Sequence, residues 1–204
     1  MSIEYEYKFI FEDDFTEKEL RKKLKEMKAK HYKPILFQAR TYTDNEKGLL
    51  VRLRDEGVKK TMTLKKKVED TVFFEEFEIE INDLENADKM LHMLNSNLKL
   101  KNSVEKFREI FLINNIIVVF DSLPGLPTYI EVETDNKKDL DAFCEKIGIS
   151  PSKHFEKSMY SYYYDFNPGK EITFNILNKI NRKEIKKNKT LFSKIIKNQL
   201  KMLD

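Results

Sequence analysis

A chain of 204 residues, 40% apolar and 36% charged, can build one large domain or one domain with an appendage, and it has the apolar content for a core. It holds no apolar run of about 18 residues, so no membrane span is expected, and acids inside its first alternating stretch argue against a secretory signal. The net charge of +3 divides unevenly: residues 170–204 carry ten Lys/Arg against three Asp/Glu, a balance of +7, so the remaining 169 residues total −4.

The first stretch, Ile3 to Phe11, alternates strictly, with Ile3, Tyr5, Tyr7, Phe9 and Phe11 on one parity and Glu4, Glu6 and Lys8 on the other. Successive strand side chains point to opposite faces, so this reads as a strand with one apolar and one charged face. Thr16 then reads as a helix N-cap, with Glu19 completing a capping box. Leu20, Leu24 and Met27 supply that helix with an apolar stripe to about Lys30, and Pro34 ends the region. Strands follow at Ile35–Tyr42, Leu49–Arg54, Lys60–Lys67 and Val72–Ile81, with turns around Asp44–Gly48 and Glu56–Gly57.

Residues 83–95 read as a helix with Leu84, Ala87, Met90, Leu91 and Leu94 on one face. Val104–Ile113 and Ile116–Asp121 read as a hairpin about Asn114-Asn115, and Tyr129–Glu133 as a last strand after the Pro124–Pro127 bend. Lys137–Ile147 reads as a helix stopped by Gly148, and a second helix is expected from Pro151 to about Phe166, broken by Asn167-Pro168-Gly169. Cys144 lies at helical spacing with Leu140, Phe143 and Ile147, so it reads as core. One cysteine allows no internal disulfide and fits a reducing, cytoplasmic setting. His31, His92 and His154 are scattered and form no zinc-ligand pair.

The charged parity recurs from strand to strand: Glu4, Glu6, Lys8; Arg52, Arg54; Lys65, Lys67; Glu76, Glu78, Glu80; Lys106, Arg108; Asp121; Glu131, Glu133. That is eight acids and seven bases at spacing two. Gathering both signs of charge on one sheet face is costly unless they pair or bind ions. A polyanion with its divalent cations would use both: bases grip phosphate oxygens and carboxylates hold the metal. An ordinary solvated sheet face is the competing reading for any single strand.

This ordered set resembles the CYTH superfamily of triphosphate tunnel metalloenzymes, which includes class IV adenylate cyclases, thiamine triphosphatases and inorganic triphosphatases. Glu4-x-Glu6-x-Lys8 is similar to the family's N-terminal signature, Tyr42-Thr43-Asp44 to its tyrosine–aspartate turn, and Leu50–Arg54 to its paired-arginine strand. Thr63-Leu64-Lys65, Glu76–Glu80 and Lys106-Phe107-Arg108 resemble the strands that follow, and Asp121–Glu133 resembles the segment found in cyclase-type members. Lys157, Ser158 and Ser161-Tyr162 are similar to its final helix. The chain departs from the pattern at Glu75, where the family often has arginine, and at Pro127, where it usually has a small residue.

The resemblance implies an α+β fold: an eight-stranded antiparallel β-barrel, the triphosphate tunnel, over residues 1–166, with helices packed outside. A basic helical C-terminal extension would follow over 167–204. It implies Mg²⁺ or Mn²⁺ held by Glu4, Glu6, Glu131 and Glu133, with Asp121 and Glu78 as further candidates. Lys8, Arg52, Arg54, Lys65, Lys106, Arg108 and Lys157 would bind the triphosphate, Lys8 and Lys65 also serving catalysis. The substrate would be inorganic triphosphate, ATP or another organic triphosphate. Two outcomes fit: water attacks the terminal phosphate, or the ribose 3′-hydroxyl of ATP attacks the α-phosphate to give cyclic AMP and pyrophosphate. Hydrolysis asks less of the protein, since it needs no adenine pocket and no ribose alignment, and is the preferred reading. A non-catalytic polyphosphate- or nucleotide-binding module is the third alternative, disfavoured by the full acid set. The tail's apolar residues, from Ile172 and Phe174 to Ile195, Ile196 and Leu200, recur at helical spacing. They read as amphipathic helices packing on the barrel or forming a homodimer contact, in preference to a contact with RNA, DNA or an acidic partner.

Overall fold

A computed structural model describes residues 5–10, 14–57, 59–67, 74–155, 171–174 and 191–203. The strands are β1 (Tyr5–Ile10), β2 (Lys30–Asp44), β3 (Leu49–Asp55), β4 (Lys60–Lys67), β5 (Phe74–Glu80), β6 (Lys99–Ile113), β7 (Ile116–Ser122), β8 (Tyr129–Thr134) and β9 (Glu171–Ile172). The helices are α1 (Asp14–Glu26), α2 (Leu84–Leu94), α3 (Lys137–Ile147) and α4 (Leu191–Leu203), with a 3₁₀ turn at Pro151–Lys153. Strands β1 to β8 form an antiparallel sheet in the order β1-β8-β7-β6-β2-β3-β4-β5, and β9 pairs with β6 in parallel. No helix of the described residues is long and apolar enough to cross a membrane.

The chain falls into two compact units. The first comprises residues 1–34, 107–168 and 175–204. Its core lies on the apolar face of β1, β6, β7 and β8, where Tyr7, Phe9, Phe111, Val118, Phe120, Ile130 and Val132 meet Leu20 and Leu24 of α1 and Leu140, Phe143, Cys144 and Ile147 of α3. Helix α3 starts where the Asn136 side chain accepts the Lys138 and Asp139 amides, and stops where Gly148 turns left-handed at φ 83°. Helix α1 is pinned by Arg21, which donates to Glu109 on β6 at 2.7 Å and lies 4.2 Å over the Phe120 ring. His31 stacks on Phe111 at 4.4 Å and bonds the same Glu109. Beyond the 3₁₀ turn, the Phe155 amide donates to the Lys8 carbonyl of β1.

Cys144 is fully buried, and burial pushes its thiol up to about 12. The folded protein should therefore resist a thiol reagent such as DTNB at pH 8 and release one equivalent on unfolding. Reaction of the native protein at the rate of a free thiol would contradict this packing.

The second unit comprises residues 35–106 and 169–174. Tyr42, Val51, Leu53 and Leu98 form its core, against which Met62, Leu64 and the α2 residues Leu84, Ala87 and Leu91 pack. Asp83 caps α2 by accepting the Asn86 amide, and Arg40 ties the helix to β2 through Glu85 (2.5 Å) and Asp88 (2.9 Å). Ile172 and Phe174 are buried, and the Phe174 amide donates to Glu105 of β6 at 2.8 Å.

Several boundaries differ from the sequence reading. Strand β2 begins at Lys30 and runs through Pro34, a residue expected to end the region. Residues 30–34 are exposed, and proline is tolerated where its missing N–H costs no ladder bond. Helix α1 begins at Asp14, so Thr16 lies inside the helix and is not its cap. Ile172 belongs to a strand and not to a helix. The helix expected from Pro151 shows only its 3₁₀ turn, and the rest of it lies outside the described residues.

Candidate functional site

Each unit turns one charged sheet face away from its helices. Residues facing each other across an antiparallel pair project to the same side, so the register defines rows. In the first unit, across β1, β8, β7 and β6, the rows are Ile10–Tyr129–Asp121–Arg108, Lys8–Glu131–Val119–Ile110 and Glu6–Glu133–Ile117–Leu112. Acid and base thus concentrate on β1 and β8, with Asp121 and Arg108 at one corner. The Arg108 guanidinium donates twice to Asp121, at 2.8 and 2.6 Å, and once to Glu131 Oε2 at 3.0 Å. The Tyr129 hydroxyl donates to Asp121 at 3.1 Å. Asp121 is wholly buried. Burial works against the charged guanidinium, but the bonds and charge of Asp121, then of Glu131, outweigh it and hold Arg108 above the ordinary arginine value. Lys8 pairs with Glu6 on β1.

In the second unit, across β2, β3, β4 and β5, the rows are Ala39–Arg54–Thr61–Glu80, Thr41–Arg52–Thr63–Glu78 and Thr43–Leu50–Lys65–Glu76. Lys65 pairs with Glu76 at 2.7 Å. Thr63 donates to Glu78 at 2.8 Å, and this bond, with nearby Lys59, Arg54 and Arg52, holds Glu78 below the usual carboxylate range despite some desolvation. Arg54 donates to Glu56 through one terminal nitrogen, at 3.0 Å. Its Nε is buried and has no hydrogen-bond partner among the described residues, and the same holds for Oγ1 of Thr61, the residue opposite it. Buried polar atoms are usually paired, so these two are donors available to an acceptor brought to this face. Lys106 is buried on this unit, its ammonium 4.9 Å over the Phe37 ring.

The expected site residues therefore divide between the two faces. Glu6, Lys8, Arg108, Asp121, Glu131 and Glu133 belong to the first unit, and Arg52, Arg54, Lys65, Glu78 and Lys106 to the second. Glu4 and Lys157 lie outside the described residues. Sequence reasoning missed Tyr129 and the threonines Thr61 and Thr63, although each shares the parity of its charged neighbours. It also missed that Val119, Ile117, Ile110 and Leu112 share the charged face, because β7 and the last four residues of β6 are apolar on both parities.

Glu6, Glu131 and Glu133 offer the hard oxygen donors that Mg²⁺ or Mn²⁺ prefers, whereas Asp121 is already engaged by Arg108 and Tyr129. Among the described residues, no three acidic, histidine or cysteine side chains gather closely enough to hold a metal by themselves. A carboxylate pair completed by substrate phosphates, the usual mode for Mg²⁺, fits this donor set.

An antiparallel sheet backed by helices, with acids and bases on its other face, defines a charged-face α+β protein. The CYTH domain family model matches residues 2–159, and the chain belongs to that family. No curated protein matches the sequence significantly. A solved protein from Pyrococcus horikoshii OT3 shares the fold, with 21% identity, a TM-score of 0.59, and coverage of 76% of this chain and 96% of that one. A proposed adenylate cyclase from Vibrio parahaemolyticus has 17% identity and a TM-score of 0.58, over 79% of this chain and 98% of that one. A Hippeastrum protein, described as an adenylyl cyclase candidate with a dominant triphosphatase activity, has 16% identity and a TM-score of 0.53, over 80% and 96%. The expected eight-stranded antiparallel architecture with helices on its apolar side is the fold of these neighbours.

Proposed function

We propose that this protein is a divalent-cation-dependent enzyme that hydrolyses the terminal phosphate of inorganic or organic triphosphates. The observation that carries the reading is the pair of buried donors, Arg54 Nε and Thr61 Oγ1, left without an acceptor on a face that also holds Arg52 and Lys65. Phosphate oxygens supply the missing acceptors, and charge-assisted bonds to arginine are strong enough to fix a polyphosphate's orientation. Glu6, Glu131 and Glu133, with Glu4, would hold Mg²⁺ or Mn²⁺, which would supply charge neutralisation at phosphate oxygens. We assign Lys8 of the first unit and Lys65 of the second to catalysis, since phosphoryl transfer draws mainly on positioning and electrostatics. Hydrolysis is preferred to cyclisation because it requires no base pocket, and the dominant triphosphatase activity attributed to the Hippeastrum neighbour is consistent with that preference.

The test is to incubate purified protein with inorganic triphosphate, and separately with ATP, in Mg²⁺ and in Mn²⁺, resolving the products by ion exchange. Orthophosphate is expected, falling by roughly 100-fold or more in the Glu4→Gln/Glu6→Gln variant. Cyclic AMP with pyrophosphate would reassign the enzyme as a cyclase. Tight, metal-dependent binding without turnover would make it a binding module.

A further inference from the structure

The residues matched to the family end at 159, yet a side chain forty residues further on reaches the loop between β7 and β8. That side chain is Gln199 of α4, which is 3% exposed. Its Oε1 accepts the Gly125 amide at 2.8 Å, and its Nε2 donates to the Leu123 carbonyl at 2.7 Å and to the Leu126 carbonyl at 3.5 Å. Both polar ends of the amide are used, and every partner is backbone. Among the described residues, the loop's own bonds are those of the Leu126 amide to Leu123 and of Ser122 to Thr128 through their hydroxyls. Gly125 sits at φ 76°, a turn conformation that leaves its amide pointing out of the turn for a partner to meet.

Asp121 lies two residues before Leu123, and Tyr129 lies three after Leu126. These two face each other in the register and are joined by the Tyr129–Asp121 bond. The loop that Gln199 grips is therefore the hinge of the Arg108–Asp121–Glu131 cluster. We infer that Gln199 is a positioning residue: by clamping the 123–126 backbone, it fixes Asp121 and Tyr129, and through Arg108 the orientation of Glu131. This rests on the reading of Glu131 and Glu133 as cation ligands. The C-terminal helix, beyond the matched family residues, then serves the site as a strut, without itself touching substrate.

Outer-shell partners of metal ligands typically change metal affinity by 10- to 100-fold, and the lower end suits a contact this far removed. Gln199→Met keeps the length of the side chain and removes all three bonds. It is expected to raise the Mn²⁺ concentration for half-saturation about tenfold, measured by electron paramagnetic resonance on substrate-free protein. Replacement of the exposed neighbour, Asn198→Ala, should leave that value unchanged. Coupling is reciprocal, so in the wild-type protein Mn²⁺ should slow hydrogen exchange of the Gly125 amide. That second measurement decides the matter even if Gln199→Met is too unstable to study. A Gln199→Met variant with wild-type Mn²⁺ affinity, or Gly125 exchange indifferent to Mn²⁺, overturns the inference. Wild-type protein that binds no Mn²⁺ at all would instead overturn the underlying cation-site reading.

Discussion

Replacing Arg108 with methionine is expected to destabilise the protein by about 3–5 kcal/mol, the cost of breaking a buried ion pair from one side. Asp121 has no solvent contact, and both of its oxygens lean on the guanidinium, at 2.8 and 2.6 Å. Methionine fills much of the space but removes both guanidinium bonds from that carboxylate, while the Tyr129 hydroxyl still donates to it. For a chain of this size the loss corresponds to a melting temperature lower by roughly 6–20 °C. The sign with pH is simple. Arg108 titrates above its ordinary value, so as pH rises its contribution is lost only in the arginine range and does not fade near neutrality. Adding Asp121→Asn should recover most of the lost stability, because the unpaired charge is gone. Activity should not return with it. Turnover of inorganic triphosphate is expected to fall by about 10²–10³ in both variants, as when one preorganised donor is removed from a charged transition state. Thermal unfolding and steady-state rates on the two proteins check this. A double variant as active as wild type would show the cluster to be purely structural.

Where the sequence alternates, it could be read directly. β1 and β8 carry apolar and charged residues on opposite parities because one face packs on α1 and α3 and the other presents charged side chains. Helices α2 and α3 were equally plain, since their caps, Asp83, Asn136 and Gly148, are local features that need no tertiary partner. What could not be read depended on context. Pro34 lies inside β2 only because that stretch of strand is exposed, which no local pattern records. Strand β7 is buried on both sides, so its parity gives no hint that Val119 and Ile117 join the charged face. Thr61 and Thr63 stood in plain alternation with Lys65, but a hydroxyl pattern carries no charge signal. Only the structure shows that the Thr63 hydroxyl is bonded to Glu78 and that the Thr61 hydroxyl has no partner among the described residues. Gln199 is the extreme case: a polar residue on an amphipathic helix looks like surface until the backbone it grips, some 75 positions away, is known.

The contrast between two arginines gives the sharpest separation of stability from function. Arg54→Met should leave stability unchanged or raise it by about 1 kcal/mol, opposite in sign to the change at Arg108. Arg54 keeps a buried Nε without a partner, a deficit of about 1–3 kcal/mol that methionine removes. Against this stand the Glu56 bond, worth about 0–1 kcal/mol between side chains that are each 22% exposed, and a cation–π contact to Phe37 at 5.8 Å, worth about 0.5–1 kcal/mol. Methionine also retains the packing of the arginine stem. Binding should move the other way. A charge-assisted bond contributes about 1.5–3 kcal/mol, so the dissociation constant for inorganic triphosphate in Mg²⁺ is expected to rise about 10- to 150-fold. Thr61→Val, which removes one neutral donor from the same position, should cost only about 2- to 10-fold, and Thr61→Ser should restore most of it. Titration calorimetry and thermal melts on these three proteins give both quantities at once. Weaker binding without lost stability is what a residue kept for its ligand produces. Unchanged affinity in Arg54→Met would remove the second unit's basic face from the substrate site. A loss of stability matching that of Arg108→Met would make Arg54 a framework residue instead.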